Sequence, residues 1–188
     1  MNRVKYSKQE MTAYPLFTPP ESLAVKGTKN WTKLEAQAYF DWFMEVRKQR
    51  VSNFLDFIRY DLTGNIEHDL VTISQKLFDT VNTPDFYSIR EIDGAKKLND
   101  YGLAIAADMG LLLAQLLEEL KPSLYWKIGK GPKSYHGYNL PIMKNFFGTT
   151  SEVDLLFFSI IKVGVSLNVD KRPFDWVTSL KNFEKAAK

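Results

Sequence analysis

Residues 96–120 read KKLNDYGLAIAADMGLLLAQLLEEL, and between 103 and 117 only Asp108 and Gln115 interrupt an otherwise apolar run. A helix that is apolar almost all round can satisfy its surface only in an interior, so this segment predicts a central buried helix from about Lys96 to Leu120. The run is too short, and too interrupted at Asp108, to span a bilayer. Gly102 and Gly110 weaken the helix slightly but permit a neighbouring backbone to come close. Pro122 closes it.

Working outward, the preceding residues supply the helices that cover this core. Thr32 followed by Glu35 spells a capping box, in which each side chain accepts from the other's free backbone amide. From there to about Tyr60 no Pro or Gly intervenes, and Tyr39, Phe40, Phe43, Val46, Val51, Phe54 and Ile58 recur at steps near three and four. Arg47 and Arg50 lie close to that stripe, able to snorkel along it or to pair with Asp41 and Glu45. Thr63-Gly64-Asn65 is expected to end the helix in a turn. A second helix should run from about Glu67 to Val81, with residues 86–94 open between a short strand and a turn. On the far side of Pro122, residues 123–128 alternate with β-type side chains, and Gly129-Lys130-Gly131-Pro132 signals a turn. Residues 138–147 return from it, with Pro141 arguing for an edge or irregular extension. Residues 152–167 are apolar throughout, and their length favours a helix capped by Ser151. A last amphipathic helix covers Phe174 to about Ala187. Pro15, Pro19, Pro20 and Gly27 make residues 1–31 an irregular strap, held on the core by Leu16, Phe17, Leu23, Val25 and Trp31.

The expectation is therefore a mainly α (α+β) single domain over residues 1–188. It has about five helices around the central one, a helical part at 32–121, a β-hairpin-like excursion at 122–150 and a helical end at 151–188. The chain of 188 residues suffices for one such core. It has no Cys, which excludes disulfides, thiolate metal sites and thiol nucleophiles and fits a reducing compartment. Residues 1–10 lack the apolar core of an export signal, so a cytoplasmic location is expected. Charge is segregated: six Lys/Arg against two Glu in residues 1–34, eight against fifteen acids in 35–120, and five Lys with no acid in 121–150. Such asymmetry can orient a charged partner, and it can also be simple solvation of helix faces.

No catalytic spacing emerges. His68 and His136 are far apart, and neither has metal-ligand neighbours at a useful interval; no cofactor is expected. His68 stands at a helix start among acids that suit the helix dipole. Residues 129–134 resemble a phosphate loop only superficially, because Pro132 interrupts them and no helix-forming run follows. Asp108 must be paired if buried, by a salt bridge to Arg47 or Arg50 or by a hydrogen bond to a Tyr or Trp, the alternative being a perturbed acid in a pocket. The basic-aromatic segment 124–147 is the candidate partner-binding surface, through Tyr125, Trp126, Lys127, Lys130, Lys133, Tyr135 and Tyr138. Aromatic anchors and Lys could dock an acidic protein or stack single-stranded bases, although the lack of Arg disfavours nucleic acid; the ordinary alternative is that half of these rings pack on the helices and the Lys keep a hairpin tip soluble.

The run from Leu34 to Phe43, LEAQAYFDWF, followed by Arg50-Val51, resembles a group of bacterial proteins opening with an E-A-x-x-Y-F-D-W-F helix. Asp108, the P-x-L-x-W element Pro122 to Trp126 and the N-x-P element Asn139 to Pro141 are similar to later features of that group. The resemblance implies a small helical protein and no particular activity. In size and style it is similar to immunity proteins that neutralise secreted toxins. The leading expectation is a non-enzymatic protein-binding domain of that kind. The alternatives are a small enzyme with a site around Asp108 and Arg47 or Arg50, and single-stranded nucleic-acid binding through residues 124–147. No membrane partner is expected.

Overall fold

The central helix begins later than its composition suggests. Asn99 caps it, its side chain accepting from the Gly102 amide at 3.0 Å while donating to the Asp85 carbonyl at 2.7 Å. In the computed structural model, which describes residues 14–24, 26–148 and 151–188, Lys96 to Leu98 is not helical. It is a strand, paired antiparallel with Tyr87–Ile89 in a small hairpin. The ladder absorbs the backbone groups that a helical turn would otherwise have used, and the open reading of residues 86–94 resolves as strand and turn.

The architecture is mainly α with two small antiparallel sheets. Among the described residues the helices are α1 (Glu21–Ala24), α2 (Lys33–Phe57), α3 (Ile66–Val81), α4 (Asp100–Leu120), α5 (Leu155–Val165) and α6 (Trp176–Ala186). The hairpin is β1 (Tyr87–Ile89) and β2 (Lys96–Leu98); the second sheet is β3 (Tyr125–Ile128), β4 (Pro141–Lys144) and β5 (Glu152–Val153), in the order β3-β4-β5. Helix α4 is buried from Ala104 to Leu117 apart from the half-buried Gln115, while Leu103 at the start of the run is exposed. Around it lie α2 with Phe43 and Phe54, α3 with Leu70, Ile73 and Leu77, α5 with Leu155 and Val163, and α6 with Trp176 and Leu180. None of these helices is long and apolar enough to cross a membrane.

Four boundaries differ from expectation, each for a local reason. The capping box at Thr32 and Glu35 forms, but α2 stops at Phe57; Arg59 takes the left-handed conformation (φ 54°) just after it, and Gly64 takes a positive φ (85°) in the turn before α3. Asn65, expected to close α2, instead caps α3 by accepting from the His68 amide. Pro141 lies in the middle strand of its sheet, not in an edge. It is the first residue of β4, paired with Ile128 before β5 begins to pair at Met143, so no ladder bond is lost on that side. Residues 152–153 form β5, and Asp154 rather than Ser151 caps α5, accepting from the Phe157 amide at 2.9 Å. Beyond α5 the chain loosens into a π-helical turn, Ser166–Asp170, and Asp175 caps α6.

The strap can be followed from Tyr14, and it is less irregular than its prolines imply, since it includes α1 and a 3₁₀ turn at Thr28–Asn30. The reading of residues 1–10 as lacking an export signal, and the part of the strap before Tyr14, lie outside the described residues; so does the apolar contact expected of Val25.

Candidate functional site

The strap is fastened by a buried ion pair. Arg50 falls seven residues after Phe43 on the inward face of α2, which directs it at Asp108 on α4. Arg50 Nε and Nη2 donate to Asp108 Oδ1 and Oδ2 at 2.7 and 2.6 Å, and the Tyr14 hydroxyl donates to Oδ2. The remaining guanidinium hydrogens reach the Pro15 and Leu16 carbonyls at 3.0 and 3.2 Å, and the group lies 3.6 Å from the centre of the Phe17 ring. Asp108 has no solvent exposure and Arg50 only 5%. Burial pushes the Asp108 carboxyl up, to about 6, while Arg50 and Tyr14 pull it the other way. At neutral pH it is therefore the anion that its three donors address. Arg47, the other candidate partner, turns away and pairs with Glu118 at 2.5 Å.

Phe17 carries this cluster to a cleft. A cavity of about 470 Å³ opens between the strap (Leu16, Phe17, Thr18), α4 (Asp100, Leu103, Ala104, Ala107), the β3–β4 connection (His136, Leu140) and the start of α5 (Leu156, Phe157, Ile160). Its walls are mostly apolar; Tyr39, Asp100, His136 and Asp154 are its ionisable members. The Asp154 side chain is 7% exposed, with one oxygen spent on the α5 cap and the other 4.0 Å from His136 Nε2, longer than a hydrogen bond. The His136 ring stacks on Phe157 at 4.4 Å and 26°. Burial raises the Asp154 carboxyl, and it holds the Tyr39 hydroxyl up at about 12. Asn139, in the left-handed region at φ 63°, ties the connection to the strap by donating to the Thr28 carbonyl at 2.9 Å.

The segment 124–147 contributes to this cleft, but not through the residues its composition singles out. Trp126 is 7% exposed; it packs edge-on against Phe43, with ring centres 5.0 Å apart, and cannot serve as a docking anchor. Its buried indole N–H has no hydrogen-bond partner among the described residues. Tyr125, Lys127, Lys130 and Lys133 are exposed, whereas Tyr135 and Tyr138 are half-buried. Lys144 is engaged in an ion pair with Glu152. His68 is exposed at the start of α3, away from the cleft lining. Among the described residues no three His, Asp or Glu side chains converge in a way that could hold a metal. His136 and Asp154 carry no local signal of a shared site, because 18 residues separate them and only the β4–β5 ladder brings them together. An Asp followed by an apolar run could still have marked Asp154 as a helix cap.

Buried hydroxyls give this region an alkaline signature. Burial, and for Tyr135 also the Glu152 carboxylate, raises Tyr39 and Tyr135 to about 12, and burial raises Tyr14 further. Their folded pKa values exceed the unfolded value of about 10. The stability they contribute is thus complete below pH 10 and is lost as pH rises from there through about 12. Tyrosinate absorbance should show fewer than the nine tyrosines ionising near pH 10, the remainder appearing together with alkaline unfolding. Nine ionising at pH 10 with native circular dichroism would contradict the buried placement.

Comparison of the chain with protein-family models, with curated proteins and with solved structures finds no match.

Proposed function

We propose that this chain is a non-enzymatic binding protein whose bound group enters the cleft beside the strap. One observation carries the reading: the cavity of about 470 Å³ falls within the roughly 300–1,000 Å³ of small-ligand sites and shares their character, apolar walls with a few polar groups. The charged cluster behind it supports binding over chemistry. Every Asp108 donor is accounted for and no water can reach it, so the alternative of an enzyme centred on Asp108 with Arg50 or Arg47 has no open acid to use. Its task is to hold the strap wall in place.

A protein partner is a second reading, favoured by the exposure of Tyr125 and Lys127 on edge strand β3 and of Lys130 and Lys133 in the following loop. An acidic surface, such as that of a toxin occluded by an immunity protein, would meet that edge. Single-stranded nucleic acid is less favoured, because Trp126 is unavailable for stacking.

One experiment separates the readings. The neutral fluorophore Prodan should bind the full chain saturably at one equivalent. Leu103→Trp, placed at a cleft-lining position that is 37% exposed, should abolish that uptake while leaving the far-ultraviolet circular dichroism unchanged. If Prodan is not taken up, or is taken up equally by Leu103→Trp, the cleft reading fails and the β3 edge becomes the surface to test.

A further inference from the structure

Resting on the cleft reading, the geometry points to a ligand class: we infer that the cleft accepts an organic cation, an alkylammonium carried on an apolar or aromatic body. The argument begins with charge. Asp100 and Asp154 line the cavity, and among the described residues no Lys or Arg does so. The nearest guanidinium, that of Arg50, lies behind Phe17 and is consumed by Asp108 and by the strap carbonyls. An anion entering this space would face two carboxylates without a counter-charge. A neutral molecule would leave the nearly buried Asp154 carboxylate with the backbone amides that cap α5 and with His136 4.0 Å from Oδ2, a charge without a close counter-ion, which costs free energy. A cation supplies what that carboxylate lacks.

Aromatic rings complete the match. Phe17, Tyr39 and Phe157 come from three separate elements, the strap, α2 and α5, to line one cavity. Ring faces attract cations through their quadrupole, and the attraction strengthens where water is excluded. Leu16, Leu103, Leu140, Leu156 and Ile160 leave the rest of the cavity apolar. A small hydrated metal ion would be poorly served by such walls, whereas a methylated or aryl ammonium would bury its carbon groups against them. Charge, rings and apolar space select the same chemistry independently.

The test uses isosteres. Benzyltrimethylammonium and its carbon analogue neopentylbenzene have the same shape and differ in charge, and 4-tert-butylbenzoate supplies the opposite sign. Ligand-observed NMR titration of the full chain should rank the cation at least about tenfold above the neutral isostere, with the anion weakest. Asp154→Asn removes the charge while keeping a side-chain oxygen able to cap α5, and it should erase most of the cation's advantage without changing neopentylbenzene affinity. Asp100→Asn, at an exposed position, gives the same readout with little risk to folding and should reduce the advantage in the same direction. Equal affinity for cation and neutral isostere, or preference for the anion, would overturn the ligand class while leaving the cleft as a binding site. Failure of all three probes to bind would instead remove the cleft reading itself.

Discussion

Replacing Asp108 with Ala is expected to lower the unfolding free energy by about 3–5 kcal/mol, because it leaves a buried guanidinium without its counter-charge. Arg50 is 5% exposed and Tyr14 3%, so neither can turn to water for a substitute partner. For a chain of this length such a loss corresponds to a fall in Tm on the order of 10 °C, measurable by calorimetry or urea unfolding. The double replacement Arg50→Met with Asp108→Leu should restore part of that stability, since it removes both charges and fills the space with apolar groups, while the buried Tyr14 hydroxyl still loses its acceptor. Binding should not return with it. Arg50 also donates to the Pro15 and Leu16 carbonyls and stacks on Phe17; a Met could pack on the ring but can donate to neither carbonyl. Recovered stability with lost Prodan uptake would show that the ion pair positions the strap as well as stabilising the core. A double variant that binds Prodan normally would leave the pair as a purely internal feature.

How far this arrangement can be read from the chain depends on whether its causes are local. The apolar run at 103–117, the capping box at Thr32 and the turn after Ile128 are local patterns, and the elements they predict are present. Arg50 opposite Asp108 was narrowed to two arginines by the stripe on α2. Helical spacing does not choose between them, since Arg47 and Arg50 fall four and seven residues after Phe43 and so share its face; the level at which Asp108 and Glu118 stand on α4 assigns one carboxylate to each. Trp126 shows the opposite situation. In a strand, alternate side chains face opposite ways, so Tyr125 and Lys127 could point outward only if Trp126 pointed inward; the Trp between them was therefore a core residue. The cleft itself has no local cause. Its walls come from the strap, α2, α4, the β3–β4 connection and α5, and its volume depends on how closely α4 and α5 approach.

That approach is set at Gly110, and Gly110→Ala should shift both stability and binding. A Cβ at this position would lie 2.6 Å from the Leu155 carbonyl oxygen and 2.9 Å from Leu156 Cα. Both are backbone atoms of α5, so no rotamer change can relieve the contact; the helix must move. Nearby, the Ser159 hydroxyl donates to the Ala106 carbonyl at 2.6 Å, a second link that the displacement would stretch. Ala gains up to about 1 kcal/mol over Gly in helix propensity, but overpacking at a rigid contact costs roughly 1–3 kcal/mol or more. The expected net effect is destabilisation by about 1–2 kcal/mol, with weakened Prodan uptake because Leu156, Phe157 and Ile160 travel with α5. Gly164→Ala is the matching control. It lies in the same helix pair, on α5, but an added Cβ there meets nothing within 4 Å, so the propensity gain acts alone and stability should rise by about 0.5–1 kcal/mol with binding unchanged. Chemically identical substitutions of opposite sign in urea unfolding would locate the constraint in the α4–α5 contact. If Gly110→Ala were neutral or stabilising, the two backbones would be free to separate, and the cleft could not owe its shape to their packing.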